Sequence, residues 1–195
     1  MQRKTTKEIL AESFKELAEK KPINKITIAD ITGNCGMTPP TFYRYYKDKY
    51  DMISWIYMTG LQKITEQIGC DGYGWQDAVR DIGRFRVENR SYALNAIKHT
   101  RGRDAFAGTM GQIHAEALTN VVQKSFPGKE LPLDIVTMIK VFSYGVCRLS
   151  IEWLLDPPPL TPEKCAELSA NCMPEGLKPY LDPNAAAAHY NPPKM

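Results

Sequence analysis

The stretch from residue 27 to residue 53 reads TIADITGNCGMTPPTFYRYYKDKYDMI, and it predicts two short helices separated by a tight turn. Thr27 is a favourable N-cap, and Asp30 lies three residues after it, which predicts the start of the first helix. Gly36 can adopt the left-handed conformation that ends a helix. Thr38 predicts a second N-cap. Prolines are tolerated in the turn that follows, because its backbone N–H groups have no intrahelical acceptor.

The second of these helices carries two aromatic side chains on one face. Phe42 and Tyr46 are four residues apart, so both can pack against the first helix. Asp48 predicts the N-cap of a longer helix that begins at Lys49. Two helices joined by a short glycine-containing turn form a helix-turn-helix, in which the second helix enters the major groove of DNA.

Helical periodicity continues along the rest of the chain, and it predicts an all-α protein of about nine helices. We expect a helix-turn-helix domain at residues 1–50, a second helical domain at 51–175 and a Pro/Ala-rich, loosely ordered tail at 176–195. The predicted helices outside the helix-turn-helix cover about residues 5–20, 49–68, 75–88, 104–126, 133–155 and 161–172, with a short helix that ends near residue 98.

The composition excludes several classes of protein. Of the 195 residues, 43% are hydrophobic and 24% are charged, as in ordinary soluble globular proteins. No apolar run reaches the roughly 18 residues of a transmembrane helix, and the N-terminus lacks the apolar core of a signal peptide. The five cysteines include no CxxC pair, which favours reduced thiols in a cytoplasmic protein.

Positive charge is concentrated at the N-terminal end of the chain. Residues 1–50 contain ten Lys or Arg and six Asp or Glu, whereas residues 51–195 contain fifteen and sixteen. The basic surplus coincides with the predicted helix-turn-helix, as a phosphate-binding surface requires. The three histidines lack the spacing of a metal site or a catalytic pair. We therefore expect no catalytic, metal or cofactor site and no enzyme activity.

The run GMTPPTFYRYYKDKYDMI, at residues 36–53, resembles the DNA-binding signature of TetR/AcrR-family transcriptional regulators. With the helix before it, the resemblance covers about fifty residues. Its continuation into Trp55 and Ile56 is similar to the subgroup that regulates dihydroxyacetone kinase operons. The resemblance implies a TetR-like fold, in which a C-terminal helical domain binds an effector and forms a dimer. The matching positions are Gly36, Thr38, Thr41, Phe42, Tyr43, Tyr45, Tyr46 and Lys49.

Contacts with the DNA backbone are predicted at two kinds of position. Thr27 and Thr38 lie at helix N-termini, where hydroxyls and N–H groups suit phosphate oxygens, although capping alone also explains both residues. The resemblance implies that Tyr43, Tyr45 and Lys49 occupy positions that contact the sugar-phosphate backbone.

Contacts with base edges are predicted on the recognition helix itself. Arg44 can pair with guanine, and Thr41 can offer its methyl group to thymine. Pro39 and Pro40 have no N–H to donate, so they are expected to read shape or to contact thymine methyl groups.

An effector pocket in the second domain is implied by the resemblance. Aromatic side chains with a few polar groups are the usual lining of a small-molecule site, although core packing also explains each candidate. The apolar stripe of the helix at 75–88 runs through Val79 and Ile82 to either Phe85 or Arg86. The candidate lining residues are Trp55, Phe85, Phe106, Met110, His114, Phe142 and Arg148.

The helix at residues 133–155 is apolar on two faces, and such a helix must be buried on both sides. We expect one face to pack in the core and the other to pair with a second copy of the chain, together with the helix that follows. The candidate interface residues are Ile151, Leu155, Cys165, Leu168 and Cys172.

These observations predict a DNA-binding transcriptional regulator. We expect a ligand-responsive repressor that binds a palindromic operator as a homodimer, with double-stranded DNA and a small-molecule effector as its other partners and no membrane association. The alternative is a coregulator or coactivator that acts through a partner protein, which the resemblance to the dihydroxyacetone kinase subgroup allows.

Overall fold

The computed structural model describes residues 4–100, 106–158 and 160–181, which form nine α-helices, two short 3-10 helices and no strand. The predicted all-α fold is confirmed. The α-helices are α1 (Thr6–Lys20), α2 (Ile28–Asn34), α3 (Pro39–Tyr43), α4 (Lys49–Thr65), α5 (Trp75–Glu88), α6 (Arg90–His99), α7 (Phe106–Gln123), α8 (Leu133–Leu155) and α9 (Pro162–Asn171). The 3-10 helices are Ile23–Lys25 and Glu175–Tyr180.

Capping side chains set the beginnings of several helices. The hydroxyl of Thr5 accepts a hydrogen bond from the backbone N–H of Glu8, and the Glu8 carboxylate accepts one from the backbone N–H of Thr5. These two bonds form a capping box for α1. Asp48 caps α4, because its Oδ1 accepts from the N–H groups of Tyr50 and Asp51 at 2.8 Å each. Thr161 caps α9 in the same way. These starts follow the sequence prediction closely.

Two helices end earlier than the sequence predicts. The N–H of Gln67 bonds to the carbonyl of Ile64, three residues back, so α4 tightens and ends at Thr65 before Gly69 reverses the chain with φ 88. The N–H of Lys124 likewise bonds three residues back, and α7 ends at residue 123. The predicted start of α7 near residue 104 falls outside the described residues.

The first of two compact units comprises Met1–Tyr57 and Asn89–Thr109. Its core joins α1, α2, α3 and the first turns of α4 to α6. Phe14 of α1 packs edge-on against Tyr92 of α6 with ring centroids 6.1 Å apart. The unit therefore includes α6, whereas the domain predicted at residues 1–50 did not. Fully buried side chains of this unit are Leu10, Phe14, Ile23, Ile26, Ile31, Phe42, Tyr46, Met52 and Ile53.

The second compact unit comprises Met58–Glu88 and Met110–Met195. Its helices approach closely where glycine removes a side chain: a Cβ on Gly111 of α7 would lie 2.6 Å from the ring of Tyr144 on α8. Aromatic contacts add to this core, as between Trp75 and Phe142 at 5.8 Å. The central buried residues are Ile68, Ala78, Leu118, Val122, Ile135, Ile139, Phe142 and Leu177.

The segment after α9 differs from the predicted loose tail. Met173, Leu177 and Leu181 are buried in the core of the second unit, and the backbone N–H of Trp75 donates to the Leu181 carbonyl at 3.1 Å. Apolar side chains at these spacings, among prolines, form a packed 3-10 turn. The remainder of the predicted tail, residues 182–195, lies outside the described residues. None of the described helices is long and apolar enough to cross a bilayer.

Candidate nucleic-acid interface and a buried cavity

Two buried aromatic rings anchor α3, as their spacing predicts. Phe42 and Tyr46 are 0% and 2% exposed, and their ring centroids lie 5.5 Å apart. The Tyr46 hydroxyl donates to the carbonyl of Lys7 at 3.0 Å, which ties the end of the recognition segment to α1. Burial raises the pKa of the Tyr46 phenol, so the group remains a donor. The anchored side of α3 thus fixes the direction of its opposite side.

The turn between α2 and α3 depends on a glycine. Gly36 has φ 68, in the left-handed region that residues with a Cβ seldom adopt. This conformation lets the Met37 N–H reach the carbonyl of Thr32 at 2.8 Å, which closes the end of α2. The geometry confirms the predicted helix, glycine turn and helix.

The outer side of α3 and the residues after it form a continuous exposed surface. Tyr43 is 59% exposed and Tyr45 is 40% exposed, and neither is needed in the core. The expected N-cap bond of Thr38 is absent, and its hydroxyl instead lies 3.1 Å from the hydroxyl of Thr41. We define the recognition surface as Thr38, Pro39, Pro40, Thr41, Tyr43, Arg44 and Tyr45, of which only Thr41 is partly buried.

Thr27 caps α2 and remains exposed. Its hydroxyl accepts from the N–H of Asp30 at 3.1 Å, and its own N–H donates to the Asp30 carboxylate at 2.8 Å. Hydrogen bonds from Thr27 and from the ammonium group of Lys21 lower the pKa of Asp30 to about 2. The backbone N–H of Thr27 is therefore already used, while its hydroxyl proton remains available to a phosphate oxygen.

Lys49 does not have the geometry expected of a phosphate contact. Its ammonium group donates to the carbonyls of Ile23, Asn24 and Ile26 at 3.0, 3.3 and 2.8 Å. An ammonium group has three protons, so these carbonyls account for all of its donors. Desolvation lowers the pKa of Lys49. The structure therefore gives Lys49 the role of holding the segment between α1 and α2 against the start of α4.

The sequence prediction missed a residue that holds the same segment from the other side. Asn95 of α6 donates to the carbonyls of Ala18 and Lys21 at 2.6 and 3.0 Å, and its Oδ1 accepts from the Ile23 N–H at 2.9 Å. An asparagine among the apolar residues of a short helix is the only sequence signal for this role. Two of these bonds run from α6 to the C-terminal end of α1 and the third to the 3-10 helix Ile23–Lys25, so α6 completes the support of the helix-turn-helix.

Of the seven predicted pocket residues, two line the cavity that the described residues form in the second unit. His114 and Phe142 border it, whereas Trp55 and Phe106 belong to the first compact unit. Met110 is fully buried in close packing, and Phe85 covers Gly60. Arg148 lies on the outer face of α8, where its side chain is 76% exposed and pairs with Glu152 at 2.8 Å. Arg148 does not line the cavity because its position on α8 faces away from the core of the second unit.

The cavity lies within the second unit and has a volume of about 30 Å³. Its polar lining residues are Thr65, Trp75, Arg86, His114, Ser143 and Ser169, and apolar side chains supply the rest. The prediction left the stripe of α5 open between Phe85 and Arg86, and the structure brings Arg86 to the cavity. The sequence feature that indicated this position is a charged residue, Arg86, on the apolar stripe of α5.

Arg86 and His114 meet at this cavity. A terminal nitrogen of the guanidinium lies 3.5 Å from His114 Nε2, a long contact. His114 keeps some exposed surface where it lines the cavity, but close surrounding by protein, followed by the positive charge of Arg86, lowers its pKa well below the ordinary value. His114 is therefore neutral at pH 7. In the described part of the chain, no group of His, Cys, Asp and Glu side chains is arranged to hold a metal ion.

The predicted interface residues do not all lie on the same side. Ile151 is 6% exposed and packs in the core of its own unit, because it shares the inner face of α8 with Cys147. Leu155 and Leu168 are 49% and 40% exposed, while Cys165 is half-buried and Cys172 is exposed. Val141 and Tyr144, which were not among the predicted interface residues, are 68% and 46% exposed on α8. All five cysteines are free thiols.

Comparison with known proteins places the N-terminal segment in a described family. Residues 9–54, from α1 into α4, match the family of bacterial regulatory proteins called the tetR family. Over 87 residues the chain is 28% identical to the HTH-type dhaKLM operon transcriptional activator DhaS of Lactococcus lactis subsp. lactis (strain IL1403), covering 45% of this chain and 46% of that protein. The chain thus spans about half the length of this curated relative.

Solved structures share the fold over most of the chain. The dihydroxyacetone kinase operon activator DhaS aligns with a TM-score of 0.63 at 18% identity, covering 91% of this chain and 98% of that chain. The TetR family repressor AlkX from Dietzia sp. strain DQ12-45-1b aligns with a TM-score of 0.56 at 15% identity, covering 89% and 98%. The regulator FadR from Bacillus halodurans gives 0.56 at 10%, covering 88% and 96%. At these identities the likeness shows the fold alone.

Proposed function

We propose that the chain is a member of the tetR family of bacterial regulatory proteins, which residues 9–54 match, and that it acts as a dimer on a palindromic operator and responds to a small molecule. The family consists of DNA-binding transcription regulators, which supports a regulator and not an enzyme as the function of this chain. Because the proposed operator is bacterial DNA, we propose that the protein acts in the cytoplasm. The dimer, the ligand response and the direction of regulation are the proposed parts.

One observation carries the proposal for DNA recognition: α3 is anchored by Phe42 and Tyr46 on one side and fully open on the other. A helix held in this way presents its outer side chains in a fixed direction, as major-groove readout requires. Arg44 and Thr41 on this surface are the proposed base-reading residues, through guanine and the thymine methyl group. Pro39 and Pro40 form an exposed apolar edge beside them.

Phosphate contacts are proposed at the rim of the recognition surface. The hydroxyls of Thr27 and Thr38 are exposed at the starts of α2 and α3, and those of Tyr43 and Tyr45 extend from the end of α3. Hydroxyl donors to phosphate oxygens fix the orientation of a protein on DNA without reading its sequence. We do not include Lys49 among the proposed phosphate contacts, because its three N–H donors bind backbone carbonyls.

The exposed apolar side chains of α8 and α9 support a dimer. Val141, Tyr144 and Leu155 share the outer face of α8, and Leu168 is exposed on α9. One helix-turn-helix covers few base pairs, and two-fold symmetry doubles the contacts, with recognition helices about 34–36 Å apart or at a multiple of that spacing. We propose that these outer faces of α8 and α9 pair with their copies in a second chain.

The direction of regulation has two candidates. Occupation of an operator that overlaps a promoter represses transcription, and a ligand that favours the free form relieves it. The second candidate is activation, alone or through a partner protein, and the name of the relative DhaS as a transcriptional activator favours it. Transcription in vitro from a template that carries the operator separates the two, because repressor and activator change the transcript yield in opposite directions.

The proposal is tested by selecting bound sequences from random duplex DNA with the full chain. We expect enrichment of an inverted repeat and one dimer bound to each duplex. Fluorescence anisotropy then measures the affinity of the wild type and of Arg44→Ala, with Arg80→Ala on α5 as a charge-matched control. A selected pool without an inverted repeat would contradict the dimer, and equal loss in both variants would contradict the recognition surface.

A further inference from the structure

The cavity in the second unit contains hydrogen-bond donors that have no acceptor. Trp75 Nε1 and Arg86 Nε are both enclosed by protein, and neither finds a hydrogen-bond partner. Both residues line the same cavity. Buried polar groups are nearly always paired, so two unpaired donors at one cavity indicate that an acceptor belongs there. The hydroxyls of Thr65 and Ser169 also lie at this cavity, where they donate to the carbonyls of Gln62 and Cys165, but neither accepts a hydrogen bond from Trp75 Nε1 or Arg86 Nε.

The positive charge of Arg86 is also without a counterion. Among the described residues, no carboxylate lies within 4 Å of its guanidinium, whereas Arg80 and Arg84 on the same helix pair with Asp77 and Asp81. The polar neighbour of Arg86 at the cavity is His114, which is neutral and supplies no negative charge. A partly buried cation without an anion is unfavourable, so the site is electrostatically incomplete.

We propose that the cavity binds a small carboxylate, whose oxygens accept hydrogen bonds from Arg86 and Trp75. The planar guanidinium suits the two oxygens of a carboxylate, and one cation matches one negative charge. A volume of about 30 Å³ holds about two water molecules, so the cavity suits only the smallest carboxylates and is too small for a drug-sized ligand. Val79, Ile82 and Phe142 supply apolar lining to the same cavity.

The binding site stands on this geometry alone, while its role as the effector site rests on the proposed function. Binding is therefore measured first on the full chain without DNA, so its failure is distinct from a failure of operator binding. Sodium acetate is titrated in a thermal unfolding assay against sodium chloride at equal ionic strength. Sodium formate and propionate give a size series, acetamide is the neutral analogue and inorganic phosphate is a larger oxyanion.

We expect the unfolding temperature to rise and saturate with acetate, and to stay unchanged with acetamide and with chloride. Binding of the native state alone shifts the unfolding equilibrium in this concentration-dependent way. Equal responses to acetate and chloride would overturn the proposal, because they indicate a general salt effect. A stronger response to phosphate than to any carboxylate would overturn the assignment of the ligand class.

Arg86→Met tests the residue, and Arg84→Met is the matched control on the same helix. Arg86→Met should lower the acetate affinity by about tenfold or more, as expected for loss of a charge-assisted hydrogen bond. Without acetate it should unfold at the same temperature as the wild type or higher, because it removes an uncompensated charge. Arg84→Met should keep the full acetate response. A lower unfolding temperature for Arg86→Met without acetate, or equal losses in both variants, would overturn the assignment.

The regulatory role is tested last, by operator binding of the wild type and Arg86→Met with and without acetate at constant ionic strength. We expect acetate to change the operator affinity of the wild type and not that of the variant. An unchanged wild-type affinity, with acetate bound in the first assay, would overturn the effector role and leave the binding site supported.

Discussion

The ammonium group of Lys49 lies 2.8 Å from the carbonyl oxygen of Ile26, so the first residue of α4 holds the end of the segment that leads into α2. The same group reaches the carbonyls of Ile23 and Asn24, and Asn95 of α6 holds the N–H of Ile23. The helix-turn-helix is thus supported by two polar side chains that bind backbone, in addition to its apolar core.

Lys49→Met should destabilise the protein by about 1.5–3 kcal/mol, because it leaves three carbonyls without a charged donor. Unfolding in urea, followed by far-UV circular dichroism, measures the change. Lys47→Met, on an exposed neighbour, is the control and should have little effect on stability.

The same variant tests the original expectation of a phosphate contact. If Lys49 binds only backbone carbonyls, the dependence of DNA affinity on salt should be the same for the wild type and for folded Lys49→Met. A decrease of about one in the slope for each half-site would show that the ammonium group leaves the carbonyls and binds phosphate in the complex.

Arg44→Ala should weaken binding to the selected operator by about 1–3 kcal/mol and relax the preference at one base position. Tyr43→Phe should instead weaken binding to all sequences alike, since a phosphate contact carries no sequence information. Competition with operator variants in fluorescence anisotropy distinguishes the two patterns. Unchanged affinity and preference in Arg44→Ala would show that Arg44 is only a solvated surface residue.

The helix-turn-helix was predictable because its determinants are local. Thr27 with Asp30, Gly36, and the four-residue spacing of Phe42 and Tyr46 each act within one or two helical turns, and the structure has all of them. Local pattern could not reveal that Lys49 binds carbonyls more than twenty residues earlier in the chain. A lysine at the first position of a helix can contact a phosphate or bind backbone carbonyls, and the local sequence is the same in both cases.

The cavity was less predictable because its lining depends on how α4, α5, α7, α8 and α9 are rotated. Arg148 and Arg86 are both arginines on helices with apolar stripes, yet one is exposed and the other lines the cavity. The sequence shows two apolar faces on α8 and does not show which one packs in the core, so it could not predict that Arg148 is exposed. A similar ambiguity put Ile151 on the predicted interface, whereas α8 turns it inward.

His114 should make stability depend on pH. Its pKa is lowered in the folded protein by burial and by Arg86, so below pH 6.5 the unfolded chain binds a proton that the folded chain does not. Stability should therefore fall as the pH decreases below about 6.5, with a slope from this group of at most about 1.4 kcal/mol per pH unit. His114→Gln should reduce this slope. Urea unfolding between pH 5 and pH 8 measures it, and equal slopes for both proteins would show that His114 titrates normally.

The dimer should depend on the outer face of α8. Val141 is 68% exposed there, and Val141→Glu places a charge at the proposed two-fold interface, where each substitution acts twice. Burial of an unpaired charge costs several kcal/mol, so the variant should be monomeric at micromolar concentration and should bind the operator weakly. Val87→Glu is the control, since Val87 is 50% exposed on α5, outside this face. Size-exclusion chromatography with light scattering decides the result: a wild-type mass near the 22.0 kDa of one chain, or dimers of both variants, would contradict this interface.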